Sequence, residues 1–179
     1  IAKQKNTQPV QKITIIPRTM GSLGYTMQMP EEERYLMTKD EITEEIVTLL
    51  AGRAAEELIF NTVTTGAAND IERATELARA MVTRLGMSDE FDMMALEKES
   101  NRYLNGNTVM TCSDNTGSRA DAEILNIIKS CHKKAADILK ENTEELHRIA
   151  EFLIEKETIS GEEFMEILNQ TDKRNNNID

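Results

Sequence analysis

The sequence has little of several residue types from which rigid scaffolds and binding surfaces are commonly built. Tryptophan is absent, aromatic residues make up 4%, and the 179 residues include three prolines, two cysteines and two histidines. Few aromatic residues beside many helix formers disfavour a β-sandwich and favour helix packing. Cys112 and Cys131 lie far apart in unrelated contexts. A disulfide framework is therefore not expected, and a reducing compartment is favoured.

Positive charge is also scarce, since the sequence has 21 Lys and Arg but 32 Asp and Glu, which gives a net charge of −11. Nucleic-acid surfaces and sites on anionic lipid both need clustered basic residues, so neither is expected. No apolar run approaches the roughly 20 residues that span a bilayer. The first ten residues lack the apolar segment of a signal peptide. An upstream membrane anchor is compatible with all of these features.

What is present is mainly helical periodicity, preceded by two short β-prone runs. These runs, at 12–17 and 24–30, predict a small β element near the N-terminus. From Thr38 the apolar residues recur at helical spacing, and Thr38 with Glu41 has the pattern of a capping box. Gly52 interrupts this helix, and such a glycine usually permits the close approach of a neighbouring backbone.

Four further helices are predicted, and the fold class is mainly α with a small β element. Their expected positions are 68–85 with Gly86 as C-terminal cap, 119–140, a helix capped by Asn142, and a helix opened by a capping box at 160–163. The stretch 97–119 is polar and rich in Gly, Asn and Ser, which predicts a long mobile loop or a boundary between two helical layers. The polar tail 169–179 is predicted to be disordered.

Asp70 lies in the first turn of the second predicted helix, after a run of small residues at 63–69. A carboxylate at this position is normally explained by capping or by the helix dipole, and the residues alone favour that explanation over metal binding. The small residues permit a close approach of the backbone to another group but do not specify one. Arg53, Arg73 and Arg79 are candidates to pair with acids on neighbouring helices.

Six segments of the sequence together form a recognisable colinear pattern. They are ITIIPR (13–18), LGYTMQMPEEERY (23–35), GRAAEE (52–57), TTGAANDIERAT (64–75), MVTRLGMS (81–88) and EKETISGEE (155–163). In this order they resemble the peptidase domain of the FtsH-type, membrane-anchored, ATP-dependent zinc metallopeptidases. The resemblance implies a helical zincin-like domain, with a peptidase core at 1–96, a loop at 97–119 and a second helical layer at 120–168.

The resemblance also implies roles for individual residues. Asp70 matches the third zinc ligand of the family, and Glu56 matches an acidic position that supports the site by orienting a ligating histidine. Gly24, Tyr25 and Thr26 match a strand that holds the substrate backbone by edge pairing. Without the resemblance, Glu56 would be interpreted as a solvated carboxylate and residues 24–26 as an ordinary hairpin edge.

The sequence contains no HExxH motif, and its only histidines are His132 and His147. Zinc peptidases need three protein ligands and an open position, and HExxH supplies two histidines and the general base. If Pro9-Val10 aligns with the family segment that follows this motif, the motif would end a few residues before Ile1. We therefore expect an incomplete active site in a chain that hydrolyses nothing by itself, with truncation favoured over natural loss.

The resemblance implies a parent enzyme that unfolds membrane and cytoplasmic proteins with ATP and cleaves them with zinc-activated water. It implies a homohexamer with its peptidase domains on the cytoplasmic side of a bacterial inner membrane, an organellar membrane being the alternative. The chain has no GxxxxGK[ST] motif, so ATP would bind upstream. Two other hypotheses stay open: a noncatalytic scaffold subunit of such a ring, and a helical adaptor with an accidental resemblance.

Overall fold

The computed structural model describes residues 1–17, 24–29, 36–99 and 108–175. This part of the chain is mainly helical with short strands, as predicted. The strands are β1 (Val10–Thr14), β2 (Tyr25–Gln28), β3 (Glu97–Glu99), β4 (Thr108–Met110) and β5 (Thr158–Ser160). The helices are α1 (Lys39–Phe60), α2 (Ala68–Thr83), α3 (Asp114–Glu141), α4 (Thr143–Lys156) and α5 (Gly161–Asn175), with a 3₁₀ turn (Thr65–Ala67) before α2.

The chain divides into two compact units. Residues 1–36 and 138–179 form the terminal unit, and residues 37–137 form the central unit. Strand β1 pairs with β5 near the C-terminus, which places both strands in the terminal unit.

The central unit is built on α1 and α2, and the start of α1 follows a local sequence signal. The capping box is confirmed, since the Glu41 amide donates to Thr38 Oγ1 at 3.2 Å and the Thr38 amide donates to Glu41 Oε2 at 2.7 Å. Helix α2 ends at Thr83 with Arg84 as its C-cap, so Gly86 is not the cap that was predicted. Gly86 follows two residues later with a φ of +61° that glycine adopts without strain. The largest fully buried apolar side chains of this unit are Ile46, Val47, Met81, Val82 and Leu96.

Two other features of the central unit also differ from prediction. A Cβ built on Gly52 would meet nothing within 4 Å among the described residues, so no neighbouring backbone of this part of the chain explains this glycine. The predicted loop at 97–119 contains the antiparallel strands β3 and β4, and α3 already begins at Asp114. The residues between these strands, 100–107, lie outside the described residues.

The terminal unit joins the two ends of the chain through a three-stranded antiparallel sheet in the order β2-β1-β5. Strand β5 was not predicted, because three residues between two helices carry too little pattern to show a strand. Its Ile159 is fully buried in an apolar core with residues of α5. The other residues of this core are Phe164, Ile167 and Leu168, with Val10, Ile13, Ile149 and Leu153 packed against it.

Helix ends in the terminal unit agree with prediction at α5 and differ at α4. The Ser160 amide donates to Glu163 Oε2 and the Glu163 amide donates to Ser160 Oγ, which is the predicted capping box. Asn142 occupies the N-cap position of α4, but its side-chain amide donates backwards to the Ile138 carbonyl at 2.7 Å. Helix α5 continues to Asn175, beyond the predicted start of a disordered tail. No described helix is both long and apolar enough to cross a membrane.

Candidate functional site

Asp70 lies where the sequence places it, in the first turn of α2, and its side chain is partly buried. Across the described ranges its carboxylate has no hydrogen-bond or ion-pair partner within the protein. The helix dipole favours a negative charge at this end of a helix. Asp70 therefore carries a carboxylate, a possible metal ligand, that no described residue binds.

The segment before Asp70 is a 3₁₀ turn that runs straight into α2. The Thr64 hydroxyl caps this turn by accepting the Gly66 amide at 3.2 Å. The Ala68 amide then donates to the Thr65 carbonyl, which links the turn to the first residue of α2. The position of the Asp70 backbone is thus set by a continuous helical path that starts at Thr64.

Glu56, on α1, contacts this path. Its Oε1 accepts the Thr64 hydroxyl and its Oε2 accepts the Thr64 amide at 3.2 Å. Arg53 completes the group, because its Nη1 lies 3.5 Å from Glu56 Oε2 and its Nη2 donates to the Thr64 carbonyl at 2.7 Å. The hydrogen bonds from Thr64, with the Arg53 charge as a smaller cause, hold the pKa of Glu56 below its ordinary value.

The structure thus brings together Glu56 and the segment that carries Asp70, through contacts that the sequence analysis did not identify. Glu56 was predicted to orient a histidine, whereas both of its oxygens here bond Thr64. Each carboxylate oxygen retains capacity for a second donor, so the predicted role remains a prediction. The i,i+3 spacing of Arg53 and Glu56 was the one sequence signal for this group. Nothing in the sequence pointed to Thr64.

Two of the three expected arginine pairs join neighbouring helices. Arg73 Nη2 lies 3.6 Å from Glu45 Oε1, and Arg79 Nη2 lies 3.7 Å from Asp121 Oδ1. Arg53 instead pairs with Glu56 on its own helix. The Arg73 and Arg79 pairs are exposed by a third or more on each side chain, so they contribute little to stability.

The described residues of this chain do not supply the ligands of the zinc site that the resemblance implies. No group of three His, Cys, Asp or Glu side chains suited to a metal ion occurs in the described residues. His132 lies on α3 with its Nε2 3.2 Å from Glu57 Oε2, and His147 is an exposed residue of α4. A zinc ion needs three protein ligands in a hydrolytic site. The described residues therefore offer one candidate ligand, Asp70, and do not form such a site by themselves.

The second predicted site is the edge of the three-stranded sheet. Within the described residues β2 pairs only with β1, so it is an edge strand of this sheet. Thr26 is exposed and Tyr25 is partly buried. Gly24 has a structural reason to be glycine, because a Cβ there would overlap the Thr14 carbonyl oxygen. Its part in binding a substrate remains a prediction.

The fold and these two regions define a mainly helical domain with a carboxylate at a helix start, Asp70, and an edge strand, β2. The sequence pattern of Peptidase family M41 matches residues 2–167. The chain belongs to this family, which confirms the predicted resemblance to FtsH-type peptidase domains.

Three curated relatives are each named as an ATP-dependent zinc metalloprotease FtsH. The chain is 60% identical to the protein of Clostridium perfringens over 163 residues, which are 91% of this chain and 23% of that protein. It is 56% identical to the protein of Lancefieldella parvula over 167 residues, 93% and 26% of the two chains. For Thermotoga maritima the identity is 44% over 168 residues, 92% and 28%. The chain spans about a quarter of the length of these relatives.

Proposed function

We propose that this chain is part of the peptidase domain of an ATP-dependent zinc metalloendopeptidase and that Asp70 is its contribution to the metal. The observation that carries the proposal is the Asp70 carboxylate, which is held at the start of α2 and unused by the described residues. Family membership supplies the chemistry for which such a carboxylate would be required. Zinc, when bound in such sites, activates water toward a peptide carbonyl.

The remaining ligands and the general base have to come from residues outside this chain. One carboxylate does not hold a catalytic zinc ion, and the sequence contains no HExxH. The chain alone therefore hydrolyses nothing. Its part is to supply Asp70 in a fixed position and to contribute the β2 edge.

The β2 edge is the proposed site for the substrate backbone. An extended peptide gains main-chain hydrogen bonds by adding to an edge strand, which suits an endopeptidase. Tyr25 and Thr26 flank the backbone groups that would bond the peptide, and Gly24 keeps the start of β2 close to β1. Protein substrates fit this edge, whereas the net charge of −11 disfavours nucleic acid.

The parent protein is proposed to act as a homohexamer that binds ATP outside this chain. Its substrates would be membrane and cytoplasmic proteins, and its peptidase domains would lie on the cytoplasmic side of a bacterial inner membrane or at an organellar membrane. Support comes from the resemblance and from the relatives, whose names state ATP dependence and zinc metalloprotease activity. Any attachment to the membrane would use a segment outside this chain.

The test is the substitution Asp70→Asn in the complete natural polypeptide that contains these residues. We expect zinc affinity to fall by more than about a hundredfold and casein cleavage to be lost, because a ligand is removed with little change in size. Zinc content after dialysis and casein cleavage are the measurements. Glu72→Gln is the matched control, since Glu72 is an exposed carboxylate on the same helix.

Three outcomes would contradict the proposal. Unchanged zinc affinity in Asp70→Asn would leave Asp70 as a helix-start carboxylate only. Zinc-dependent casein cleavage by the 179-residue chain, abolished by Asp70→Ala, would show that the site is complete without other residues. A complete polypeptide that neither binds zinc nor cleaves casein would favour the noncatalytic scaffold subunit.

A further inference from the structure

The start of α2 lacks the side-chain cap that fixes most helix starts. Ala67 occupies its N-cap position and has no side-chain oxygen to accept an amide. The helix is instead continuous with the preceding 3₁₀ turn, whose own cap is Thr64. The direction in which α2 begins, and with it the position of Asp70, therefore depends on how firmly Thr64 is held.

Thr64 uses each of its polar groups for that purpose. Its hydroxyl donates to Glu56 Oε1 and accepts the Gly66 amide, its own amide donates to Glu56 Oε2, and its carbonyl accepts from Arg53 Nη2. Three of these four bonds involve an ionised partner, and such bonds are about twice as strong as neutral ones. Arg53 and Glu56 are adjacent on one face of α1, so the bonds connect a rigid helix to the loop.

We propose that Thr64 is a positioning residue for Asp70, held by Arg53 and Glu56 in a group that we call the Thr64 clamp. The clamp connects α1 to the 3₁₀ turn and so fixes the carboxylate six residues later. This inference rests on the proposed function, because it assigns the clamp to the ligand role of Asp70. It adds a residue that touches neither metal nor substrate.

A purely structural role for Thr64 makes a different prediction. The hydrogen bonds of the clamp are solvent-exposed and its ion pair is only partly buried, so together they add little to the free energy of unfolding. If the clamp only closed the turn between α1 and α2, its loss would loosen the loop and leave zinc affinity unchanged. If it positions Asp70, its loss lowers zinc affinity while the melting temperature stays almost constant.

The experiment uses the complete natural polypeptide and measures the Zn²⁺ dissociation constant by competition with a chelator. Thr64→Val, which keeps the shape and removes the hydroxyl, is expected to raise this constant about tenfold, in the range seen when groups behind metal ligands are removed. Thr64→Ser keeps the hydroxyl and should stay within about twofold of the unmodified protein. Arg53→Gln removes the charged partner on α1 and should raise the Zn²⁺ dissociation constant about threefold.

Thr75→Val is the matched control, because it removes a hydroxyl that bonds only the Ile71 carbonyl within α2. It should leave zinc affinity unchanged. Protection of the Gly66 and Ala68 amides from hydrogen exchange is the second readout, expected to fall in Thr64→Val and to be restored in Thr64→Ser. This readout requires neither zinc nor activity.

The outcomes separate the two proposals. If Asp70→Asn loses zinc and Thr64→Val binds it as tightly as the unmodified protein, the clamp does not position Asp70. If neither substitution changes zinc affinity, the ligand role of Asp70 itself is wrong, and lower amide protection in Thr64→Val would then report a loop contact only. A Thr64→Val protein that unfolds, with Arg53→Gln folded and unchanged in zinc affinity, also overturns the inference.

Discussion

The two regions with candidate functional groups are held in place by different kinds of interaction. In the central unit, the Thr64 clamp is a group of polar side chains at the surface. In the terminal unit, β1 is held by backbone pairing on both sides and by close contacts around the fully buried Ile159. The first region depends on a few charged hydrogen bonds, and the second depends on the packing of a core.

This difference separates function from stability. Side-chain contacts at the surface can be removed with little cost in unfolding free energy, so a defect at Thr64 should be local. Backbone contacts inside a core cannot be changed without strain or a cavity, so a defect beside β1 should destabilise the terminal unit as a whole. Substitutions in the two regions should therefore fail in different assays.

The largest effect is expected from Gly161→Ala in the terminal unit. A Cβ at Gly161 would overlap the Val10 carbonyl oxygen and crowd the backbone at Gln11. Since backbone atoms of a paired strand cannot move aside, we expect a loss of about 3 kcal/mol in unfolding free energy. Chemical denaturation followed by circular dichroism measures it.

Gly52→Ala is the matched control for that substitution. Gly52 lies inside α1, and its added Cβ would meet nothing within 4 Å among the described residues. Alanine should therefore stabilise the helix by about 0.5–1 kcal/mol. Equal changes in unfolding free energy for the two substitutions would show that the close approach of the Val10 backbone does not require glycine at position 161.

A smaller loss is expected from Thr14→Val, which tests the pairing of β1 with the C-terminal segment. Thr14 is buried, and its hydroxyl lies 2.8 Å from Thr158 Oγ1 and 3.2 Å from the Glu157 carbonyl. Valine keeps the shape and removes the hydroxyl from these partly buried hydrogen bonds, at a cost of about 1–2 kcal/mol. The measurement is again the unfolding free energy.

Thr75→Val provides the comparison in the central unit. It also removes one hydroxyl, but this hydroxyl makes a solvent-exposed hydrogen bond within α2. Its effect should stay within about 0.5 kcal/mol. If Thr14→Val were equally mild, the side chains that join β1 to β5 would contribute no more than surface contacts do, and the contrast between the regions would be lost.

The sequence predicted the helices well because their signals are local. The capping boxes at Thr38 and Ser160 each depend on residues within one turn. The sheet was predicted only in part. Strand β5 is three residues long, and its pairing with β1 joins positions about 145 residues apart in the chain. No short-range pattern reports such a contact.

The candidate site shows the same limit. The place of Asp70 at a helix start follows from the residues around it, and the resemblance singled it out as a ligand. Its surroundings did not follow, because the clamp depends on a turn of the chain that brings Thr64 back to α1. Threonine at a 3₁₀ N-cap is common, so its type carried no signal. Only the fold shows that its hydroxyl also bonds Glu56.

The smallest expected effect is a pH dependence of amide protection in the loop at Thr64. It is tested by comparing two glutamates, Glu56 and Glu163. Bonds from Thr64 hold the pKa of Glu56 below the ordinary value of 4.5, and a bond from Lys156, helped by Ser160, does the same to the pKa of Glu163. A depressed pKa stabilises the folded state above the unfolded value, and this contribution is lost as pH falls through the folded pKa. Both carboxylates should therefore titrate below pH 4.5 in carbon NMR spectra.

The consequences of protonation should differ between the two regions. Protonated Glu56 accepts the Thr64 amide poorly, so protection of the Thr64 and Gly66 amides should fall in acid. Ser160 pairs with Lys12 of β1 in the sheet. Protection of the neighbouring Ile159 amide from hydrogen exchange should therefore persist over the same pH range. Glu56→Gln should remove the pH dependence of the loop and leave that of Glu163 intact. Loss of protection at Ile159 together with the loop would mean that the two regions do not differ in what holds them.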